Sequence, residues 1–135
     1  MTLPNFIIIG AAKAGTTALY EYLGEHPDVF VSPVKETNFF SSGHPIGTQD
    51  EYEAQFAGVR GERAIGEASV QYIASKNAAA QMRDQLPDVK LIAMLRNPAD
   101  RAFSHYLMQS RGDAYRQDPR SIDQVFADFG SAWAV

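Results

Sequence analysis

The sequence contains no cysteine, which removes disulfide staples, thiol nucleophiles and thiolate zinc sites at once. It also lacks a strong excess of either charge. A formal net charge of −4 over 135 residues, with pI near 5.3, gives no global basic field to draw in nucleic acid or an anionic membrane, so any anion site has to be built locally. No apolar run is long enough for a membrane-spanning helix, and the opening Met-Thr-Leu-Pro-Asn carries no basic segment ahead of a hydrophobic one. The expectation is therefore a cytoplasmic chain with no membrane segment and no nucleic-acid partner. Repeats, low-complexity tracts and linkers are missing as well. With 45% hydrophobic and 21% charged residues, the composition is that of one globular domain, 1–135, with a real core.

What is present is organised around residues 6–19. Phe6 to Ile9 is a continuous apolar run of the kind a strand buried on both faces shows, Gly10 and Gly15 bracket a loop, and a helical pattern starts near Thr16. The two glycines sit where a P-loop, G-x-x-x-x-G-K-[ST], places its own, so loop N–H groups and a helix N-terminus can converge on an anion. The alternative is a turn that uses glycine for conformational reasons alone. One position departs from the P-loop pattern: Thr16 stands where a nucleotide triphosphatase has its lysine, and a lysine appears three positions earlier as Lys13.

Further along, the apolar spacing puts Ala18, Leu19, Tyr22 and Leu23 on one face of the first helix, ending at Gly24. Asp28 to Ser32 reads as a short strand and Thr48-Gln49-Asp50-Glu51 as a capping box opening a helix with Tyr52 and Phe56 inward. Ala64-Ile65-Gly66 reads as another buried strand. Ser75 is placed to cap a helix carrying Ala78, Ala79, Met82 and Leu86, stopped by Pro87. Lys90 to Leu95 is expected to be a second strongly buried strand, running into Arg96, with Asn97 as N-cap and Pro98 as first residue of a helix whose inward face is Ala102, Phe103, Tyr106 and Leu107. Ser121-Ile122-Asp123-Gln124 is a second capping box, opening a helix with Ile122, Val125, Phe126 and Phe129 on one face. Strands separated by helices imply right-handed crossovers, a mainly parallel central sheet and a three-layer α/β/α class, with ligands at the C-terminal edge of the strands.

Lys13-Ala14-Gly15-Thr16-Thr17 resembles the 5′-phosphosulfate loop, Lys-x-Gly-Thr-Thr, of sulfotransferases that use 3′-phosphoadenosine 5′-phosphosulfate (PAPS). Arg96-Asn97-Pro98 followed by Arg101-Ala102-Phe103-Ser104-His105-Tyr106 resembles the same family's 3′-phosphate motif, Arg-x-Pro and Arg-Ala-x-Ser-x-Tyr. The resemblance implies that Arg96 and Ser104 hold the donor's 3′-phosphate; the plain alternative is an Arg96 paired with a carboxylate and an exposed Ser104. Lys35-Glu36-Thr37-Asn38-Phe39-Phe40 is similar to the Lys-Glu-x-x-Phe-Phe segment of the carbohydrate-type and bacterial branch, where the glutamate is the candidate general base, against a simple Lys35–Glu36 surface pair. Glu67-Ala68-Ser69-Val70-Gln71-Tyr72 resembles the Glu-x-Ser-Pro-x-Tyr segment associated with acceptor contacts, with Val70 in place of the proline and Ala68 where lysine is frequent.

The resemblance covers Phe6 to Gly112 and implies a P-loop NTPase-like fold, the N-terminal portion of an incomplete sulfotransferase domain. It implies an enzyme moving a sulfuryl group from PAPS to a hydroxyl or amine of a small-molecule or carbohydrate acceptor, without a metal. Lys13 and Glu36 would be catalytic, and Lys13, Ala14, Gly15, Thr16, Thr17, Arg96 and Ser104 would bind the donor. His44 is the outside candidate for the base, while His26 and His105 read as structural. The rivals are a non-catalytic nucleotide-binding remnant, an α/β interaction domain and a P-loop kinase. The kinase is disfavoured by the missing Walker lysine and by the absence of an acidic residue at the end of the strand that runs into Arg96. Oligomeric state is not legible in the sequence.

Overall fold

A computed structural model describes residues 2–41 and 46–110, together with Asp123, Gln124 and Ala127. The chain divides into two compact units, 1–101 and 102–135.

The first unit is built on a four-stranded sheet of order β2-β3-β1-β4, with every pairing parallel. The strands are β1 (Phe6–Gly10), β2 (Val29–Val31), β3 (Ala64–Ala68) and β4 (Lys90–Ala93). β1 is central, as its unbroken apolar run requires, and its side chains alternate between two cores because successive residues face opposite sides of a sheet. Ile7 points into a cluster with Phe40, Tyr52, Phe56, Tyr72, Met82 and Leu86, while Phe6 and Ile8 join Ala68, Leu19, Tyr20 and Leu23 on the other side. Helix α1 (Thr16–Gly24) covers the second side, and α2 (Gln49–Ala54) and α3 (Ala78–Gln85) contribute to the first. This is the expected three-layer α/β/α arrangement.

Local signals in the sequence set most boundaries. Thr48 and Glu51 form a reciprocal capping box at α2, each satisfying the other's free backbone N–H. The N-cap of α3 is Asn77 rather than Ser75, although the Ser75 hydroxyl still accepts from the Ala78 N–H at 3.3 Å. On α1, Tyr22 is 71% exposed and Tyr20 packs inward instead; the helix is only nine residues long, so its apolar face is the narrow strip that reaches β2 and β3. Ala79 is exposed, leaving Ala78, Met82 and Leu86 as the buried face of the third helical segment.

β4 does not have the buried character its apolar run suggested. It is an edge strand paired only with β1 among the described residues, and Leu91 and Leu95 stand 51% and 79% exposed. The helix after it, α4 (Pro98–Ser110), starts as expected, with the Asn97 side chain accepting from the N–H groups of Ala99 and Asp100 at 3.0 and 3.3 Å. Within the second unit α4 has no fully buried residue, and Phe103 and Leu107 are exposed rather than inward. The side chains of Ile122, Val125, Phe126 and Phe129 lie outside the described residues, as does His44. Among the described residues no helix is long and apolar enough to cross a membrane.

Candidate functional site at the carboxyl edge of the sheet

The carboxyl ends of β1, β3 and β4 bring the sequence-predicted residues of the first unit to one edge. From β1 the chain turns through residues 11–15 into α1, whose N-cap is Gly15 at φ +95°, a backbone conformation that a side chain disfavours. No side chain caps α1 and no acidic residue stands in its first turn, so its leading N–H groups and positive dipole end are not answered from within the helix. Thr16 is buried beneath the loop and Thr17 exposed on it. Lys13 sits inside the loop at φ +64°, a left-handed conformation uncommon for a residue with a side chain.

Next to it, the loop leaving β4 crosses over. The Ala11 N–H donates to the Met94 carbonyl at 2.8 Å and the Met94 N–H to the Gly10 carbonyl at 2.7 Å. Arg96, exposed at this edge, donates through Nη1 to the carbonyl of Lys13 at 3.2 Å. The two sequence motifs, some eighty positions apart, are thus joined by a direct hydrogen bond. Arg96 makes no carboxylate pair among the described residues. Ser104 lies on α4 in the second unit, half-buried.

Glu36 belongs to the loop after β2 and is likewise in left-handed backbone, at φ +65°, with Asn38 at φ +50°. Its N–H donates to the Ala68 carbonyl at 2.8 Å, docking the loop on the end of β3. One carboxylate oxygen accepts from the Val70 N–H at 2.9 Å and the other from Lys35 Nζ at 2.6 Å. The Lys35–Glu36 pair therefore exists, but it is half-buried and tied to the main chain rather than loose on the surface. Val70 connects the two loops. A Cβ on Gly10 would lie 3.1 Å from the Val70 carbonyl and 2.7 Å from Ile73 Cγ2, so the approach of the Glu36 anchor to the end of β1 requires glycine there.

The Glu67 segment is where the structure departs most from expectation. Glu67, Ser69 and Tyr72 are core residues: Glu67 and Ser69 are fully buried and Tyr72 is 4% exposed. Four hydroxyls converge on the Glu67 carboxyl. Tyr52 and Tyr72 donate to Oε1 at 2.9 and 3.0 Å, Ser69 donates to Oε2 at 2.9 Å, and Thr37 also donates to Oε2. Burial pushes this carboxyl above its ordinary range, while the four hydroxyls pull the other way without cancelling the rise. The Tyr52 and Tyr72 phenols are pushed up too, first by their own burial and then by facing Glu67. The one available signal was a glutamate inside the otherwise apolar Ala64-Ile65-Gly66-Glu67-Ala68, a charge where a buried strand should have none.

Beyond β3 an open cavity of about 360 Å³ is lined by Ser41, Gln71, Ala74, Ser75, Lys76 and Asn77. His26 accepts the Asp28 N–H at 3.1 Å, a local turn bond that fits its structural reading.

Comparison with known proteins agrees with this geometry. The family model for the sulfotransferase domain matches residues 3–132. A membrane-associated sulfotransferase, kil1, of Dictyostelium discoideum is 37% identical over 108 residues, covering 78% of this chain and 23% of that protein. The human bifunctional heparan sulfate N-deacetylase/N-sulfotransferase 2 is 37% identical over 137 residues, covering 96% of this chain and 15% of that protein. The crystal structure of a sulfotransferase from Alicyclobacillus acidocaldarius superposes with a TM-score of 0.83 at 39% identity, over 97% of this chain and 58% of that one. The chain thus spans under a quarter of those two curated relatives and somewhat over half of the solved structure. With the family model matched along nearly its whole length, and the Lys13 loop and the Arg96 turn bonded to each other, the chain belongs to the sulfotransferase domain family.

Proposed function

We propose that the protein transfers a sulfuryl group from PAPS to a hydroxyl or amine of a small-molecule or carbohydrate acceptor. The observation that carries this reading is the junction of the two anion motifs, Arg96 bonded to the Lys13 carbonyl beside an uncapped helix N-terminus, with the Glu36 carboxylate anchored to the neighbouring strand end. That chemistry suits a donor with phosphates at two positions.

In this reading the acceptor oxygen or nitrogen attacks sulfur, the bond from sulfur to the 5′-phosphate oxygen breaks, and adenosine 3′,5′-bisphosphate leaves. Lys13 and the N–H groups of residues 15–17 meet the charge growing on the departing phosphate, with the Thr16 and Thr17 hydroxyls as further donors, while the Ala14 N–H closes the loop on the Ala11 carbonyl at 3.2 Å. Arg96 and Ser104 hold the 3′-phosphate. Glu36 takes the acceptor's proton; each of its oxygens keeps a lone pair beyond those used by Val70 and Lys35. The polar cavity lined by Gln71, Lys76 and Asn77 follows Val70 directly in sequence, and its amides and ammonium suit a polyhydroxylated or anionic acceptor. The relatives' names support this class, since one sulfates heparan sulfate nitrogen. No step in this scheme calls for a metal.

The test is release of adenosine 3′,5′-bisphosphate from PAPS by the full-length protein, with N-desulfated heparan sulfate added as acceptor and water as the background acceptor. Release that depends on Lys13 and Glu36 supports the reading. Binding of the bisphosphate without release under either condition favours a nucleotide-binding remnant, and ATP turnover in Mg²⁺ would turn the assignment to a kinase.

A further inference from the structure

We infer that buried Glu67 is a positioning residue for the Glu36 carboxylate, acting through Thr37, Ser69 and Tyr72 on the loop that carries Glu36. The inference rests on the reading of Glu36 as the base.

The loop 36–40 has a strained backbone, with Glu36 and Asn38 both at positive φ, a state that persists only where the surroundings enforce it. The enforcement runs to Glu67. The Asn38 N–H donates to the Ser69 hydroxyl at 2.9 Å and the Phe40 N–H to the Tyr72 hydroxyl at 3.3 Å. Each of these hydroxyls donates its own O–H to Glu67, and Thr37, between Glu36 and Asn38 in sequence, bonds Glu67 directly. Hydroxyls rotate freely, and in its ionised form the Glu67 carboxylate, an acceptor with four lone-pair sites, fixes the direction of every O–H that reaches it. That leaves the Ser69 and Tyr72 oxygens facing the loop as acceptors for its N–H groups. A hydrophobic residue at 67 would fill the same space and lose that polarity.

The arrangement also explains why a carboxyl is kept in the core at all. Burying it is costly, and beside Tyr52, which bonds it, and Ile7, its register partner on β1, an apolar replacement would be cheaper. What the carboxyl adds is a unique setting for the loop that places Glu36 on Val70, the residue whose carbonyl backs onto Gly10 beside the phosphate-type loop.

A double-mutant comparison on the full-length protein separates this from a merely structural role. Thr37→Val removes the direct bond, Thr37→Ser restores it, and Ser69→Ala is a second route into the same loop that removes the acceptor of the Asn38 N–H. Turnover is read as adenosine 3′,5′-bisphosphate released from PAPS with N-desulfated heparan sulfate present, water being the acceptor otherwise, and fold as affinity for the same bisphosphate. The expected result is a fall in kcat of about tenfold to a hundredfold for Thr37→Val, recovery in Thr37→Ser, and bisphosphate affinity within about twofold of the parent. In the Glu36→Gln background Thr37→Val should add nothing, because positioning has no effect once the base is gone.

Equal losses in both backgrounds would overturn the inference, since the network would then act on something other than Glu36. So would unchanged turnover in Thr37→Val and Ser69→Ala, or loss of bisphosphate affinity in both, which would make the network a support of the fold alone. If Glu36→Gln itself keeps near-full turnover, the assignment of the base fails first, and that outcome is told apart from the others by the single variant.

Discussion

Lys13 and Glu36 both sit in left-handed backbone at the same sheet edge, yet they are held there in opposite ways. The Lys13 loop is main chain and glycine: it is fixed by N–H to carbonyl bonds to the end of β4, and α1 opens behind it without a side-chain cap. The Glu36 loop is fixed by side chains, through a carboxyl fully enclosed in the core and the hydroxyls around it. Under the proposed function the difference follows from what each loop does. A loop that wraps an anion keeps the N–H groups at its helix end free for it, so its anchorage falls to its opening residues and its carbonyls, here the Ala11 N–H and the Lys13 carbonyl. A loop that presents one carboxylate can spend its N–H groups on anchorage.

Four variants break or sharpen this contrast, the largest effect first. Glu36→Gln keeps the shape and removes the proton acceptor, so turnover should fall by about 10² to 10⁴ with bisphosphate affinity retained; steady-state kinetics against PAPS measure it, and near-full turnover would move the base elsewhere. Lys13→Ala should behave differently, losing about 10² to 10³ in turnover together with donor affinity, because its charge faces the donor before and during transfer. Loss of turnover with unchanged affinity would break the contrast from the other side.

Gly10→Ala attacks the contact between the two loops. Its Cβ would meet Ile73 at 2.7 Å and the Val70 carbonyl at 3.1 Å, at φ +142°, which should cost about 1 to 3 kcal/mol in denaturant unfolding. A cost near zero would mean the loops are not in register through Val70.

The smallest expected effect is a slope. Glu67 is raised in the folded state, chiefly by burial, so the stability it contributes is fully present below the unfolded carboxyl value of about 4.3 and is lost as pH rises through the higher folded value. Thermal melts of Glu67→Gln against the parent from acid to neutral pH should therefore give a stability difference that shifts in the variant's favour as pH rises. A shift in the parent's favour would mean that the hydroxyls outweigh burial and that the ionised carboxylate is the preferred form.

The same contrast governs what could be read from the sequence. Lys13-Ala14-Gly15-Thr16-Thr17 and the Arg96-Asn97-Pro98 turn are contiguous, and contiguous segments carry their geometry in local rules: glycine at the left-handed cap, Asn97 on two N–H groups, Pro98 at the first helical position. The central place of β1 and the capping box at Thr48 were legible for the same reason. The Glu67 cluster draws on Thr37 and Tyr52, thirty and fifteen positions away, and no periodicity marks such pairs. The one local signal was the charge of Glu67 within an apolar strand run, and the segment's resemblance to a family motif pointed toward acceptor contacts while the fold buries Glu67, Ser69 and Tyr72 in the core.

The central claim, a donor with phosphates at both the 5′ and 3′ positions, is tested most directly by calorimetry with adenosine 3′,5′-bisphosphate and 5′-AMP on the parent and on Arg96→Ala. The account predicts that the parent prefers the bisphosphate and that Arg96→Ala loses about 1.5 to 3 kcal/mol of its binding while 5′-AMP is little affected. Equal affinity of the parent for the two nucleotides would contradict it.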